Sequence, residues 1–574
     1  MFIWKNFNNS GLLINTKIFY QLIFVLLIIL EFSAHLLYAE DRATNTKLYN
    51  NKIDTYDIAI FAATPAGIMA AVSARSQNQS VVLVNQNSHI GGIISSGLGG
   101  TDHCDKRVIG GLSKQFFYRN GKFYNKKATW RLEPHKAEQL FEAYIKDSGT
   151  TLLRNETINS LELMNQTDGK IISSIKLNSG RIIKAKVYID ASYEGDLLAQ
   201  AKVSYTIGRE ARGTYNEPLA GVYKVETRHQ FSIPVPAYDS NLELFSGISA
   251  EKLAEEGSSD RKIMAYNYRV CLTKETNNLV PIEKPENYQA KEYKLLGQYL
   301  GIRKHTLIKD IFGFLDIPNK KYDLNNRGPF STDLLGQNWS YPEASEEERQ
   351  KIRLAHENYT KGLLYYLTSD PEVPDNIKKS MQTVGYCKDE FSDNKNWPYE
   401  LYIREARRLV GEYVLNQNDM SMEAVKPDPI ALASCPIESH HVQRLTIATN
   451  SKKSKDSAKT SIVKNEGWVS GYVTPYQIPY RSITPKQKEC GNLLVPVALS
   501  ASHIANSSLR MEPTYMILGQ SAGLAASLAA KQNLAVQQIR YAELKKLLLS
   551  QRQKIEVKKN WFPKNRVEKG VKKH

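Results

Sequence analysis

Short apolar runs separated by small-residue turns open the folded part of the chain. Tyr56–Phe61 predicts a buried strand, Ala62–Gly67 a turn, Ile68–Gln77 a small-residue helix and Val81–Val84 a second strand. Leu132–Ser148 has helical spacing, and Leu152–Asp190 alternates as strands, with Asn178-Ser179-Gly180 turning a hairpin and Lys186–Ile189 as the last strand. From about Gly213 to about Gly471 prolines, tyrosines and charged helices replace this alternation. Within that stretch Glu346–Leu367 predicts a helix with an acidic start, and Tyr399–Val414 a second one. The earlier character returns late, with Asn492–Val497 as a strand and Gly519–Ala530 as a small-residue helix beginning at glycine. A late strand and helix of this kind are what a nucleotide-binding domain split by an insertion requires.

The first strand, turn and helix form the start of a βαβ unit of the kind that seats a pyrophosphate on a helix N-terminus, where unpaired N–H groups and the helix dipole favour negative charge. Pro65 suits the first helical turn because its missing N–H costs nothing there. The glycine pattern is incomplete. Aligned on Gly67, the first two positions of G-x-G-x-x-G are Ala62 and Thr64, so a phosphate has to tolerate two Cβ atoms. At the end of the second strand, where an acid usually takes the ribose hydroxyls, stands Asn85. The next stretch, His89 to Asp102, carries Gly91, Gly92, Gly97, Gly99 and Gly100 among Ile90, Ile93, Ile94 and Leu98, a pattern for backbone lying against a flat ligand.

Length and composition leave room for two or three domains: 574 residues, 42% hydrophobic and 24% charged. Lys5 and Lys17 precede the apolar run Ile18–Leu30, and Tyr38-Ala39 makes a small-residue exit. Thirteen residues fall short of the roughly 20 that span a bilayer, so residues 1–39 are expected to be a cleaved export signal. An uncleaved anchor over Ile18–Ala39 is the alternative. No stable span is expected after cleavage, which places the mature protein in the periplasm or outside the cell. The net charge is +17, but Arg552–His574 holds nine Lys and Arg against Glu556 and Glu568. With no basic stripe and interleaved aromatics elsewhere, nucleic-acid binding is not expected. Cys104, Cys271, Cys387, Cys435 and Cys490 are widely spaced, which argues against zinc and iron–sulfur sites. No metal is expected. Up to two disulfides are possible, with connectivity open.

Together these segments resemble the FAD-dependent oxidoreductases found mostly as exported bacterial proteins, distantly related to the heterodisulfide reductase flavin subunit. The matching pieces run in order from Thr64-Pro65-Ala66-Gly67 and His89-Ile90-Gly91-Gly92 through Ile189–Leu197, Gly208-Arg209-Glu210, Tyr266-Asn267-Tyr268-Arg269 and Leu401–Arg408. They continue with Ser439-His440, Gln443-Arg444, Tyr480–Ile483 and the most specific block, Asn492–Pro496 through Ser508–Pro513 to Gly519-Gln520-Ser521-Ala522. The resemblance implies an α/β fold: a Rossmann-type FAD/NAD(P)-binding domain split by an inserted α+β substrate or cap domain. The expected division is 1–39 signal, 40–212 first FAD-binding part, 213–470 cap, 471–545 second FAD-binding part and 546–574 basic tail.

By the same resemblance FAD is the cofactor. Ala62, Thr64, Pro65, Ala66 and Gly67 hold its pyrophosphate, and Asn85 faces the adenosine ribose. His89, Gly91, Gly92, Gly97 and Gly99 line the flavin, while Asp190, Ala191 and Ser192 close the nucleotide. Gly519, Gln520 and Ser521 present a helix N-terminus to the flavin pyrimidine. Arg510 and Glu512 lie near that turn, with bracing as their plain structural role. His440 is the expected base, with His441 and His503 as weaker candidates. Arg404, Arg407 and Arg408, on one face of the predicted helix, either clamp a carboxylate or flavin carbonyls or pair with Glu405 and Glu412, and the structural pairing is favoured. The implied reaction passes a substrate proton to a base and a hydride to flavin N5, on a small molecule of carbohydrate or aromatic origin. Departures at Ala62 and Asn85, and Pro429, Ala431, Ala433 and Cys435 after Lys426, keep a second expectation open: a flavin-deficient, non-catalytic exported protein that uses Arg404 and Arg408 to bind an anionic glycan fragment.

Overall fold

A computed structural model describes residues 52–303, 305–448, 461–558 and 561. The expected signal 1–39, the alternative anchor and the tail beyond Trp561 lie outside the described residues. No helix among the described residues is long and apolar enough to cross a membrane.

The N-terminal segment folds as the pattern predicts. Strand β1 (Ile53–Phe61) leads through a turn into helix α1 (Pro65–Arg75) and strand β2 (Val81–Val84). Helix α2 (Pro134–Ser148) follows, then β3 (Thr151–Leu153) and the meander β4 (Ile158–Gln166), β5 (Gly169–Leu177) and β6 (Ile182–Asp190). The sheet order is β3-β2-β1-β6-β5-β4, with the first four strands parallel. The two ends of the parallel core, Phe61 and Asp190, are in register. Ile58, Ile60, Val187 and Ile189 alternate into the layer under α1, with Ala59 and Tyr188 on the opposite face.

The middle stretch builds a second layer. Strands β7 (Val270–Thr273), β8 (Leu279–Val280), β9 (Phe312–Ile317) and β10 (Lys321–Asn326), helix α3 (Glu346–Ser369) and strand β11 (Gly385–Cys387) give an antiparallel sheet of order β9-β10-β7-β11-β8. Ser345 and Glu348 cap α3 reciprocally, the reason its acidic start is a true helix start. The predicted helix Tyr399–Val414 does not form. Tyr402 bridges Asn267, and Arg408–Leu409 pairs with Thr206 and Tyr205 as extended backbone. Tertiary pairing overrides helical spacing there.

The late segment returns to the first sheet. Strand β12 (Leu493–Leu494) lies parallel to Tyr188–Ile189 of β6, beyond the point where β5 has left that edge. Asn492 ties the junction, accepting from the Ile172 N–H at 2.9 Å and donating to the Ile172 carbonyl at 2.9 Å. Helix α4 runs Glu512–Gln532, with Pro513 in its first turn. The expected start at Gly519 is therefore corrected: Gly519 lies two turns inside the helix. Its lack of a side chain serves packing, since a Cβ there would stand 2.1 Å from the Ala66 carbonyl oxygen, and one at Gly523 would stand 2.2 Å from that of Ala70. Small residues on both helices let α1 and α4 approach backbone to backbone.

One disulfide joins Cys104 to Cys435 across 331 residues of sequence, and Cys271, Cys387 and Cys490 are buried thiols. A Gly519→Val substitution is expected to force α1 from α4 and lower the unfolding free energy by about 3 kcal/mol. Urea denaturation of the two proteins measures this, and an unchanged midpoint would show that the helices do not depend on that contact.

Candidate functional site

A cavity of about 510 Å³ lies against the carboxyl ends of β1, β2 and β6, where parallel sheets bind ligands at the point of strand-order reversal. On the sheet side it is lined by Ala62, Thr64, Asn85, Asp190, Ser192 and Tyr193, and on the other by residues of the middle stretch, including Tyr341, Arg349, Tyr399 and Arg407. Of the expected nucleotide residues the cavity thus gathers five. Pro65, Ala66, Gly67 and Ala191 are buried immediately behind.

The turn keeps the geometry of the glycine motif without its first glycine. Ala62 sits at φ 74°, in the left-handed region that costs a residue with a Cβ roughly 1–2 kcal/mol. Thr64 takes over as N-cap: its Oγ1 accepts from the Gly67 N–H at 3.2 Å and donates to the Ala191 carbonyl at 2.8 Å, tying the helix start to the end of β6. A Cβ on Gly67 would lie 2.0 Å from the Ala62 carbonyl oxygen, so this last glycine is a packing requirement.

Asn85 is held by three backbone groups. Its Oδ1 accepts from the Ala63 N–H at 3.0 Å, and its Nδ2 donates to the carbonyls of Asn87 at 2.9 Å and His89 at 2.7 Å. A carboxylate could not donate the last two bonds, which gives the departure from an acid a structural reason. Asp190 is likewise a bracket: one oxygen accepts from the Ser192 N–H and hydroxyl, the other from the Leu198 N–H. Burial pushes its carboxyl above the ordinary range.

Gly91, Gly92, Gly97 and Gly99 are buried, His89 is partly exposed, and none of the five borders the cavity. His89 stacks on Tyr399 at 3.5 Å between ring centroids and pairs with Glu138 and Asp393. A Cβ on Gly91 would meet Ser95 and Phe141, one on Gly92 would meet the Tyr193 hydroxyl at 2.5 Å, and one on Gly97 the Arg269 carbonyl oxygen. A Cβ on Gly99 would meet Ile317 and Asp323. Gly519, Gln520 and Ser521 are inside α4: Gln520 accepts from the Leu112 N–H at 2.8 Å and Ser521 donates to the Ile430 carbonyl at 2.9 Å. The helix N-terminus expected from them belongs to Glu512 instead.

Behind Gly97 a buried cluster of cations surrounds His440. Arg269 pairs with Asp323, which also accepts from the Gly100 N–H. Arg269 and Arg404 both face the ring of Tyr402, and Arg510 donates to the Tyr402 hydroxyl at 3.1 Å and the Glu438 carbonyl at 3.1 Å. Arg404 in turn meets Asp333 at 2.9 Å, and the other Asp333 oxygen holds His440 Nδ1 at 2.9 Å. Burial, followed by Arg404, Arg510, His229 and Arg269, holds the His440 imidazole well below its ordinary 6.5. With Asp333 accepting Nδ1–H, the lone pair falls on Nε2, the arrangement of an oriented base.

The expected arginine face does not exist. Arg404 is bound to Asp333, Arg407 to Asp196 at 2.7 Å, and Arg408 to Glu210 at 2.6 Å and Glu405 at 3.2 Å. Structural pairing is the outcome for all three, although Glu412 takes no part in it: Glu412 accepts from the Gln487 N–H. His503 is bound at both ring nitrogens, to Glu405 and Ser439, and burial lowers the His441 imidazole to about 3. Sequence spacing missed Asp333, which stands in no motif. It also missed the group Glu133, His135, Asp389 and Glu390, whose ligand atoms lie within 4.8 Å of one another. Lys321 Nζ stands 2.7 Å from carboxylates of Glu133, Asp389 and Glu390, so an ammonium supplies the positive charge there.

Residues 57–548 match the family model described as FAD dependent oxidoreductase. No curated protein matches the chain. Among solved structures the chain is similar to THI4 of Thermovibrio ammonificans, at 15% identity over 32% of this chain and 74% of that one, TM-score 0.22. It is also similar to L-proline dehydrogenase from P. horikoshii, at 14% identity over 28% and 59%, TM-score 0.22. T. acidophilum thioredoxin reductase aligns at 15% identity over 24% and 34%, TM-score 0.15. The match thus spans less than two thirds of the last two proteins.

Replacing Ala62 by glycine is expected to relieve the left-handed strain and raise the unfolding free energy by about 1 kcal/mol, net of the entropy glycine brings to the unfolded chain. Urea denaturation provides the measurement, and a destabilised variant would show that the alanine methyl contributes packing worth more than the strain.

Proposed function

The chain belongs to the FAD dependent oxidoreductase family, and from that premise we propose that it oxidises a hydroxyl- or amine-bearing small molecule with His440 as the proton acceptor. FAD is the cofactor of the family, and two features of this chain fit it. The Ala62–Gly67 turn keeps a glycine-like φ beside a cavity at the strand ends. Buried atoms without protein partners, Glu512 Oε2 and Arg510 Nε, stand on the α4 side of Tyr193. Ala62, Thr64, Asn85, Asp190 and Ser192, which line the cavity, would hold its nucleotide half, with Arg510 toward its ring. When bound, FAD supplies the two-electron acceptor for the substrate hydride.

The single observation that carries the reading is the Asp333–His440 pair at 2.9 Å within a ring of arginines. Asp333 fixes the ring so that Nε2 can take the proton from the substrate, and Arg404 opposes the upward push that burial gives the Asp333 carboxyl. The low proton affinity of free His440 means that the base is ready without first losing a proton. Arg269, Arg404 and Arg510 place positive charge near the proton acceptor, where they favour an ionised substrate oxygen. The alternative of a flavin-deficient binding protein fits less well, because Arg404 and Arg408 are consumed by Asp333, Glu405 and Glu210. A carbohydrate-derived alcohol is the first class to screen. Work in an oxidising compartment is part of the proposal, supported by the Cys104–Cys435 disulfide.

The first test is a visible spectrum of residues 40–574 before and after excess FAD. A bound oxidised-flavin spectrum is expected, and a protein that stays colourless would overturn the oxidoreductase reading. In a protein that binds flavin, His440→Ala is expected to reduce turnover by about 10²–10⁴-fold with flavin content unchanged. Loss of flavin along with turnover would make His440 structural. Because burial and arginines hold His440 below 6.5, kcat/KM should stay level as pH falls through that value. A decline centred there would show a base titrating normally and exclude His440.

A further inference from the structure

Glu512 opens a 21-residue helix, yet it is buried to 3% exposure. A helix N-terminus favours a carboxylate, but enclosure outweighs that and pushes the carboxyl up to about 8. The acid is therefore neutral at neutral pH, and its proton can be placed. Tyr193 donates its hydroxyl hydrogen to Glu512 Oε1 at 2.6 Å, while the same hydroxyl oxygen accepts from the Ile93 N–H at 3.3 Å. With Oε1 engaged as an acceptor, the carboxyl hydrogen belongs on Oε2. That atom is buried and has no hydrogen-bond partner in the protein. A buried donor without an acceptor costs about 1–3 kcal/mol, and a ligand that brings the acceptor recovers it. Two residues earlier Arg510 Nε is another buried donor without a partner. Tyr193 itself lines the cavity at the strand ends, which puts Glu512 one hydrogen bond from that space.

We propose that Glu512 is a specificity-determining residue of the cofactor site: as a neutral acid held by Tyr193, it donates through Oε2–H to an acceptor atom of bound FAD. The inference rests on the family's cofactor. It adds a requirement for a protonated carboxyl, which bracing of the turn would not impose. The charged and titratable groups around it are Tyr193 from the loop after β6, Glu400 from the middle stretch, Arg510 before α4 and Tyr515 on α4. Of these Glu400 is a second carboxyl raised by burial, so the test has to separate the two.

FAD affinity and the visible spectrum of the bound flavin, measured on the full chain from about pH 6 to about pH 10, test the proposal. Wild type is expected to weaken by about tenfold or more through an inflection near 8, as the donor becomes a buried anion. Glu512→Gln keeps an N–H donor that does not titrate, so its affinity should stay high and its spectrum constant across the range. Glu512→Ala should be weaker by about tenfold at every pH. Persistence of the inflection in Glu512→Gln would assign it to Glu400 and overturn the proposal, as would an alanine variant with wild-type affinity and spectrum. Wild type that takes up no FAD at any pH overturns the cofactor reading and this inference together, whereas tight but pH-independent FAD binding overturns the inference alone.

Discussion

The backbone contact between α1 and α4 is the constraint on which the rest of the molecule depends. It brings segments from residue 66 and residue 519 to within a distance that no side chain could occupy. That closeness fixes the start of α1 above the ends of β1 and β6, where Thr64 can cap its own helix and reach the Ala191 carbonyl. Ser73 adds a hydrogen bond to the Gln520 carbonyl farther along the same seam. The same seam carries the start of α4, and with it Arg510 and Glu512, to the side of Tyr193. A chain whose nucleotide turn lacks the first two glycines still forms that turn because packing from a distant helix over-determines it.

Buried charge organises the space beyond the turn. Arg209, Arg269, Arg404 and Arg408 each carry a carboxylate partner at 3.0 Å or less, and all four guanidinium groups are enclosed. Pairs of this kind add little net stability, because desolvation cancels most of the attraction, but losing one partner is costly. Their effect is therefore positional. They lock the irregular segment from Tyr399 to Leu409 against two different layers, and they leave an excess of positive field around His440. In that field the imidazole is neutral, while Glu512, enclosed without a basic partner of its own, is neutral for the opposite reason. Both groups are thus uncharged in the protein, one ready to accept a proton and the other holding one.

Local signals carried the sheet and its helices. Ile58, Ile60, Val82 and Val187 form strands in any context that buries them, and Pro65 and Ser345 mark helix starts by chemistry confined to one turn. The start of α4 was misread because Gly519 looks like a cap when its neighbour is unknown, although Pro513 already marked the first turn. Tyr399–Val414 was misread because helical spacing of arginines is indistinguishable from the spacing of three residues with three separate partners.

What the sequence by itself determined is therefore the class of the molecule: a parallel sheet opening with a nucleotide-type turn, interrupted by a long tyrosine-rich stretch and completed by a late strand and helix, with His440 and Arg510 inside motifs. Only the tertiary structure decided which groups meet. Asp333 reaches His440 across 107 residues and Tyr193 reaches Glu512 across 319, and it is enclosure, which no local pattern encodes, that sets the charge on His440 and Glu512. Periodicity reports which residues are buried; the protonation of a buried group depends on what else is buried beside it.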